Sequence, residues 1–443
     1  MRFLQCLLGE GALFQRATFL SPRPIAANKS KIQLNQPVID TTQSQNRASS
    51  SLETALTIRV ARTLEEVEEI RGIWSAWETH RDGNIDISLE SVWTAEEFIR
   101  PHVIVIYRNG QPDAMLPGRL ERVRVTPRVG YLKLPGIRAR QITFPKGGVL
   151  GNASAENSEE FIKSIQEALR VGEADMAMLH QVQTDTDLYS KALGLSGFAT
   201  RDHQLRPLVR NSMKLSPNVE QIYQALSSGL RADLRKKKRK LAEVFGDGAK
   251  IRCVRDSAEL GQAMIEMEAV AAKTYQRGLG VGFENSRLTR ERLHLYARKG
   301  WLRVFLLTVN EKPCAFWMGT VFNGSFCSDY LGFDPAFGKY SPGTVLIAAM
   351  IEEFCKEGVA EIDFGVGEGR YKDRFGNHRV MEASVCIFRP SLKGVGLNAA
   401  QTSTRFLEGS MRKILESTNL LPTLKKLWRK KLSVDDAEGG VQQ

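Results

Sequence analysis

Three stretches in the last third of the chain carry residue types with usable chemistry. The first is EIDFGVGEGRYKDRFG, 361–376, where Gly365, Gly367 and Gly369 alternate directly after a short strand pattern. A dinucleotide fingerprint needs a helix after such glycines, its N-terminus facing a pyrophosphate. RYKDRFGNH has no apolar helical period, and G-x-x-x-x-G-K-[ST] does not occur, so the nucleotide-loop readings fail. The glycines instead suit close backbone approach and positive φ, shaping the wall under a substrate, or else a flexible turn. Tyr371 and Lys372 follow as a donor pair. A lysine ammonium can hold a phosphate or stabilise a developing oxyanion, and a phenol can protonate a leaving thiolate.

The second stretch, KYSPGTVL, starts a helix: Ser341 suits the N-cap and Pro342 the first helical position. Beyond that structural role, the free amides and positive dipole end of such a start can receive a pyrophosphate. The third, SFCSDYLGF, alternates as a strand and sets Asp329 beside Cys327 and Leu331 on an otherwise apolar face. Desolvation there raises a carboxyl pKa toward the range of a general base. The alternative is a carboxylate tied up by backbone amides or by Lys372.

The elements that must position these residues come in two copies. VIVIYRNGQPDAMLPGRL, 103–120, aligns without a gap on VFLLTVNEKPCAFWMGTV, 304–321, pairing Asn109 with Asn310, Pro112 with Pro313, Ala114 with Ala315 and Gly118 with Gly319. Each reads strand, tight turn, strand, and each follows helical pattern, so the repeat predicts two copies of one domain. They are placed at 57–210 and 215–392. In the second, the order β-α-α-β-β-β-α-β-turn-β predicts an α/β layered domain on a mixed sheet.

Composition is that of a globular protein, with 42% hydrophobic and 25% charged residues among 443. The six cysteines form no C-x-x-C pair and fit reduced core residues of a cytosolic protein, and the six scattered histidines predict no metal site. The net charge of +12 resides almost wholly in RADLRKKKRK, 231–240, and TLKKLWRKKL, 423–432. The first run flanks a ridge of Val219, Ile222, Leu226, Leu230, Leu234 and Leu241, and is either a solvated helix face or a polyanion site. The second is a basic amphipathic helix in the tail 393–443. It suits an anionic membrane surface or packing by its Leu/Trp face. Residues 1–56 read as a disordered extension, with a targeting segment left open.

The order of elements, the helix start YSPG, the strand DFGVGEG, the following RYKDRFG and the helix GLRADLRKKKRKL together resemble the GNAT acyltransferase superfamily. More narrowly they resemble its BioF2-like, cellulose-biosynthesis-associated branch, related to the tandem-domain Fem-type peptidyltransferases. The resemblance is strong over 215–390 and architectural over 57–210. It implies α/β architecture: two tandem GNAT-like domains, each a mixed, mostly antiparallel sheet with helices on both faces, the second holding the active site. It implies acetyl-CoA or another acyl-CoA as co-substrate, bound at Tyr340, Ser341, Gly343 and Thr344, with Asp329, Tyr371 and Lys372 catalytic and Gly365, Gly367 and Gly369 against the substrate. The acceptor would be a small molecule or glycan precursor of the envelope or of an exopolysaccharide, handled in the cytoplasm or at the inner face of the membrane. KYSPGT keeps only Gly343 of the family's usual Q/R-x-x-G-x-G/A. That departure leaves open a Fem-type transferase using aminoacyl-tRNA, and a third reading is a catalytically inactive subunit of a polysaccharide-synthesis complex.

Overall fold

The computed structural model describes residues 55–87 and 97–417, apart from 127, 130–131, 134, 279–281 and 368. The extension up to residue 54 and the basic run at 423–432 lie outside the described residues. The first half comprises β1 (Leu56–Ala61), α1 (Leu64–Trp77), β2 (Phe98–Pro101), β3 (Val103–Arg108), β4 (Gln111–Leu116), β5 (Arg119–Val125), the short strands β6 (Arg128–Val129) and β7 (Leu132–Lys133), β8 (Ile137–Phe144), β9 (Leu150–Gly151), α2 (Ala155–Arg170), β10 (Met176–Gln183), α3 (Asp187–Gly194) and β11 (Leu208–Lys214). The second comprises α4 (Val219–Ala225), α5 (Ser228–Phe245), β12 (Ala249–Val254), α6 (Ser257–Ala271), α7 (Tyr275–Gly278), α8 (Arg287–Arg298), β13 (Leu302–Val309), β14 (Lys312–Phe322), β15 (Ser325–Phe333), α9 (Pro342–Glu357), β16 (Glu361–Val366), α10 (Arg370–Phe375), β17 (His378–Phe388) and α11 (Leu392–Ser417).

The repeat holds at the level of single dihedral angles. The β3–β4 hairpin turns through Asn109 and Gly110, and β13–β14 through Asn310 and Glu311, all four at positive φ as a tight two-residue turn demands. Both hairpins also slip register at the same place. Ile106 faces Ala114 but Tyr107 faces Pro112, and Leu307 faces Ala315 but Thr308 faces Pro313. The extra residue of the bulge is Asp113 in one copy and Cys314 in the other. Each half also has one parallel pair joined by a crossover helix, β8–β10 by way of α2 and β15–β16 by way of α9. The remaining named pairings are antiparallel, so the sheets are mixed and mostly antiparallel, with helices on their faces.

The halves do not keep separate sheets. Eleven strands run in the order β12-β13-β14-β15-β16-β11-β17-β10-β8-β5-β2, beside a four-stranded sheet β1-β3-β4-β9. The last strand of the first half, β11, lies between β16 and β17, and β17 in turn pairs with β10. A boundary between 210 and 215 therefore falls within and just after β11.

Strand alternation divides the core of the second half. Phe305, Leu307, Trp317, Phe326 and Phe364 pack with Leu230, Leu234 and Leu241 of α5 and with the apolar side of α9. Val304, Leu306, Phe316 and Met318 meet α6 and α8 on the other face. The leucine ridge of the basic helix is thus buried as its spacing requires. Among the described residues no helix is long and apolar enough to cross a membrane, and the five described cysteines are free thiols.

Candidate active site

The parallel strands β15 and β16 pair only from Ser325↔Glu361 to Cys327↔Asp363. Beyond that point β15 continues along β14, and β16 continues along β11 as far as Arg210↔Val366. Two parallel strands that part at their carboxyl ends leave facing edges that no longer pair with each other. The carboxyl ends of parallel strands are also where open α/β sheets bind their ligands. The start of α9 and the turn after β16 border this gap.

At the α9 start the structure corrects one expectation. Ser341 occupies the N-cap position, but in the left-handed region (φ 53°, ψ 52°) and without a side-chain capping bond. A normal N-cap has extended dihedrals that aim the hydroxyl at the helix amides. Here the backbone carbonyl of Ser341 accepts from the amides of Thr344 and Val345 instead. Pro342 opens the helix as expected. An added Cβ on Gly343 would meet nothing within 4 Å, so that face of the first turn is open. The Tyr340 ring packs edge-on against Phe245, 4.9 Å between centroids, with the ammonium groups of Lys339 and Lys240 5.0 and 5.5 Å from its centre. Lys240 also donates to the Lys339 carbonyl. Lys240 of the basic helix and Lys339 of the turn before α9 thus set two ammonium groups beside the helix start. Elsewhere the run is engaged locally, Lys237 with Asp233 and Lys238 with Glu352.

On the other border of the gap, a helix does form where the apolar period gave no reason for one. It is only six residues long and ends at Gly376, where a Cβ would lie 2.5 Å from the Lys372 carbonyl oxygen. Lys372 is 7% exposed. Its ammonium donates to the carbonyls of Val366 at 2.7 Å and Gly365 at 3.3 Å. Burial pulls its pKa down to about 8. Gly365 and Gly367 have φ of 76° and 93°, conformations that favour glycine, and the Gly365 amide donates to Asp363. Gly369 is extended, φ −171°. The Tyr371 ring stands edge-on between Trp317 and Phe364, at 5.2 and 5.6 Å, and Trp317 Nε1 donates to Ser328 Oγ.

Asp329 is brought together with neither of these residues. β15 bulges at this point, Met318 facing Tyr330 and Gly319 facing Ser328, so Asp329 is the extra residue and the alternation read from sequence breaks. It turns toward α8 and is held by Arg81, whose Nη1 lies 2.8 and 2.7 Å from its two oxygens. Arg81 also donates to Thr320 Oγ1 and lies over the Tyr296 ring. Neither Lys372 nor a backbone amide supplies the main partner of Asp329. An arginine of the first half does.

That arginine belongs to a polar cluster across the junction of the halves, which sequence reasoning missed. Arg210 of β11 donates to Asp363, Glu382 and Gln181, and Lys146 lies 3.6 Å from Asp363 and 3.7 Å from Glu382. Burial raises the Asp363 carboxyl, but Lys146, Arg210 and the Gly365 amide outweigh it and hold it below the ordinary range. Gln181 has φ 47° in a second bulge, and Glu382 Oε2 is buried without a hydrogen-bond partner. His80, Cys327 and Asp363 also present ligand atoms within 4.8 Å of one another. They are poorly set for a cation. His80 Nδ1 accepts from the Asp82 amide, which puts the ring proton on Nε2, facing Cys327 Sγ at 4.0 Å. The Cys327 thiol is pushed up to about 12 by burial, and Asp363 is already shared by two cations. The donor set suits hydrogen bonding.

A groove of about 580 Å³ runs between the α4–α5 turn and α10, floored by Met213, Ile222, Leu226, Leu230 and Phe375.

Comparison with known proteins bears on the fold. Residues 228–373 match the family model of the acetyltransferase (GNAT) domain, so the second half carries a domain of acyltransferase type. Among solved structures, FemX superposes with a TM-score of 0.50 at 11% identity, over 72% of this chain and 95% of that one. The C-terminal domain of a putative lysylphosphatidylglycerol synthetase from Agrobacterium fabrum gives 0.44 at 14% identity, over 76% and 95%. A tandem GNAT protein from the clavulanic acid biosynthesis pathway gives 0.42 at 8%, over 76% and 99%. At 11% identity the likeness to FemX is one of fold. No curated protein matches the chain.

Proposed function

We propose that the protein is a two-domain GNAT acyltransferase that moves an acyl group from an acyl-CoA to an amine or hydroxyl of an envelope or exopolysaccharide precursor. The first half would serve the second rather than catalyse on its own. The observation that carries this reading is the parting of β15 and β16, bordered on one side by the α9 start with Lys240 and Lys339, and on the other by Tyr371 and Lys372. The donor's phosphates would meet the helix start and the two ammonium groups, and its thioester would lie between the strand edges.

The acceptor nitrogen or oxygen attacks the thioester carbonyl carbon, the carbonyl electrons move onto oxygen, and the C–S bond breaks as they return. The acceptor's proton passes to a base and the thiolate takes one from an acid. Tyr371, wedged between two aromatic rings, would be that acid. Lys372 commits two of its N–H groups to carbonyls, and its third is left to stabilise the oxyanion. Asp329, held by Arg81, would orient the acceptor or a water through its carboxylate. Positioning and electrostatic stabilisation supply most of the acceleration.

The deciding experiment is a binding titration with acetyl-CoA and with bulk aminoacyl-tRNA, repeated after Lys240 and Lys339 are both changed to Gln. The expected result is saturable acetyl-CoA binding that the double variant weakens about tenfold or more. Salt-sensitive tRNA binding with no response to CoA would replace the donor in this reading. Response to neither ligand would favour a catalytically inactive subunit.

A further inference from the structure

The last described helix, α11, buries Leu397 against Ala139, Met176, Cys386 and Phe388 of β8, β10 and β17, with Asn398 and Thr404 also enclosed. Asn398 ties it down by donating to the carbonyls of Ala199 and Arg201. Its opposite face exposes apolar side chains: Leu392 is 96% exposed, Val395 41% and Phe406 60%, with Ala399 exposed between them. Spacings of three, four and seven residues put all four in one line, running about 21 Å along the helix. Phe198, 77% exposed, adjoins the Ala199 carbonyl that Asn398 holds, and carries Arg201 over its ring at 5.6 Å. Isolated exposed apolar residues are ordinary on a protein surface, but an aligned set on one helix face, interrupted here only by Thr402 and Ser403, marks a contact.

We infer that this stripe is a docking surface for an anionic lipid bilayer. Charge selects the occupant. Soon after α11 the sequence runs into TLKKLWRKKL, five cations among leucines and a tryptophan, which supply +5 of the chain's net charge of +12. A second copy would bring the same positive segment to the same face. A bilayer with acidic headgroups offers an apolar layer to Leu392, Val395 and Phe406 and negative charge to the lysines that follow. Docking here would hold the protein beside a lipid-borne acceptor, although the inference does not depend on that chemistry.

The test is co-sedimentation of the full chain with vesicles of phosphatidylcholine alone and of phosphatidylcholine mixed with phosphatidylglycerol. Binding is expected only to the mixed vesicles and should weaken as salt rises. Val395→Asp and Phe406→Asp should each weaken it about tenfold or more, since each puts a charge where apolar surface must insert. Both sites are exposed, so melting should be unchanged, which separates lost docking from lost folding. Equal binding to both vesicle types, no binding, or full binding by both stripe variants would overturn the inference. So would a concentration-dependent dimer that Phe406→Asp dissociates, because the face would then belong to a second copy.

Discussion

Changing Lys372 to Met tests what its burial means. The ammonium is almost fully enclosed, and burial brings its pKa from 10.5 to about 8. Between those values the unfolded chain binds a proton that the folded protein does not, so stability rises with pH across this window. The contribution is fully present above 10.5 and is lost as pH falls through 8. A displacement of that size corresponds to about 3 kcal/mol, little reduced by solvent because the group is so enclosed. Urea unfolding of the wild type and of Lys372→Met at intervals from pH 7 to 10.5 isolates the effect, since every other titrating group is common to both proteins. The stability difference, wild type minus variant, should grow by about 2–3 kcal/mol from the acid to the alkaline end. At all pH values the variant also leaves the Gly365 and Val366 carbonyls without their donor, about 1 kcal/mol or more. If the charged form stabilises the oxyanion, single-turnover acyl transfer should fall above pH 8. Lys372→Ala should be slower by about 10²–10³ at neutral pH, and Lys372→Arg should also be poor. A stability difference that stays flat with pH would refute the reasoning about burial. A rate that climbs through pH 8 would recast Lys372 as a base.

Three further outcomes are expected. Arg81→Met should cost about 3 kcal/mol by stranding Asp329, and adding Asp329→Leu should recover much of it in a double-mutant cycle read by urea unfolding. His102 is fully buried, both its ring nitrogens lack a hydrogen-bond partner, and burial lowers its pKa to about 3. The unfolded chain therefore takes up this proton first as pH falls below 6.5, costing stability, and His102→Phe should move the acid-unfolding midpoint to lower pH. Gly319→Ala would set a Cβ 2.1 Å from the Cys327 carbonyl oxygen in the β14–β15 bulge. It should lower the melting temperature sharply, as followed by circular dichroism, or prevent folding.

What could be read in the sequence was local. Asn109 and Asn310 announced their turns because a two-residue hairpin needs positive φ at a fixed place. The ridge from Leu230 to Leu241 announced a buried helix face because its period is helical. Pro342 marked the start of α9. The failures share a different cause. Asp329 sits at a bulge, and one inserted residue undoes an argument from alternation. Its partner Arg81 comes from the other half of the chain, as do Lys146 and Arg210 for Asp363, and no spacing encodes such meetings. Ser341 has the right chemistry for a cap in the wrong backbone conformation, which is imposed by the turn through Pro335–Tyr340 before it. The short helix at Arg370–Phe375 has no apolar stripe because it is held by Lys372, Tyr371 and Phe375 individually.

The placing of β17 between β11 and β10 governs the order in which this protein can come into being. During synthesis the first half emerges with β10 exposing one bare edge, and its own last strand has nowhere to pair. That edge stays open until His378–Phe388 leaves the ribosome, by which time nearly the whole second half is present. Neither copy can therefore mature alone, although both descend from the same pattern. A nascent chain halted before residue 378 presents an unpaired strand, which invites pairing with another chain. The finished protein should lose both halves together on heating, because the last strand laid down is the one that closes them both.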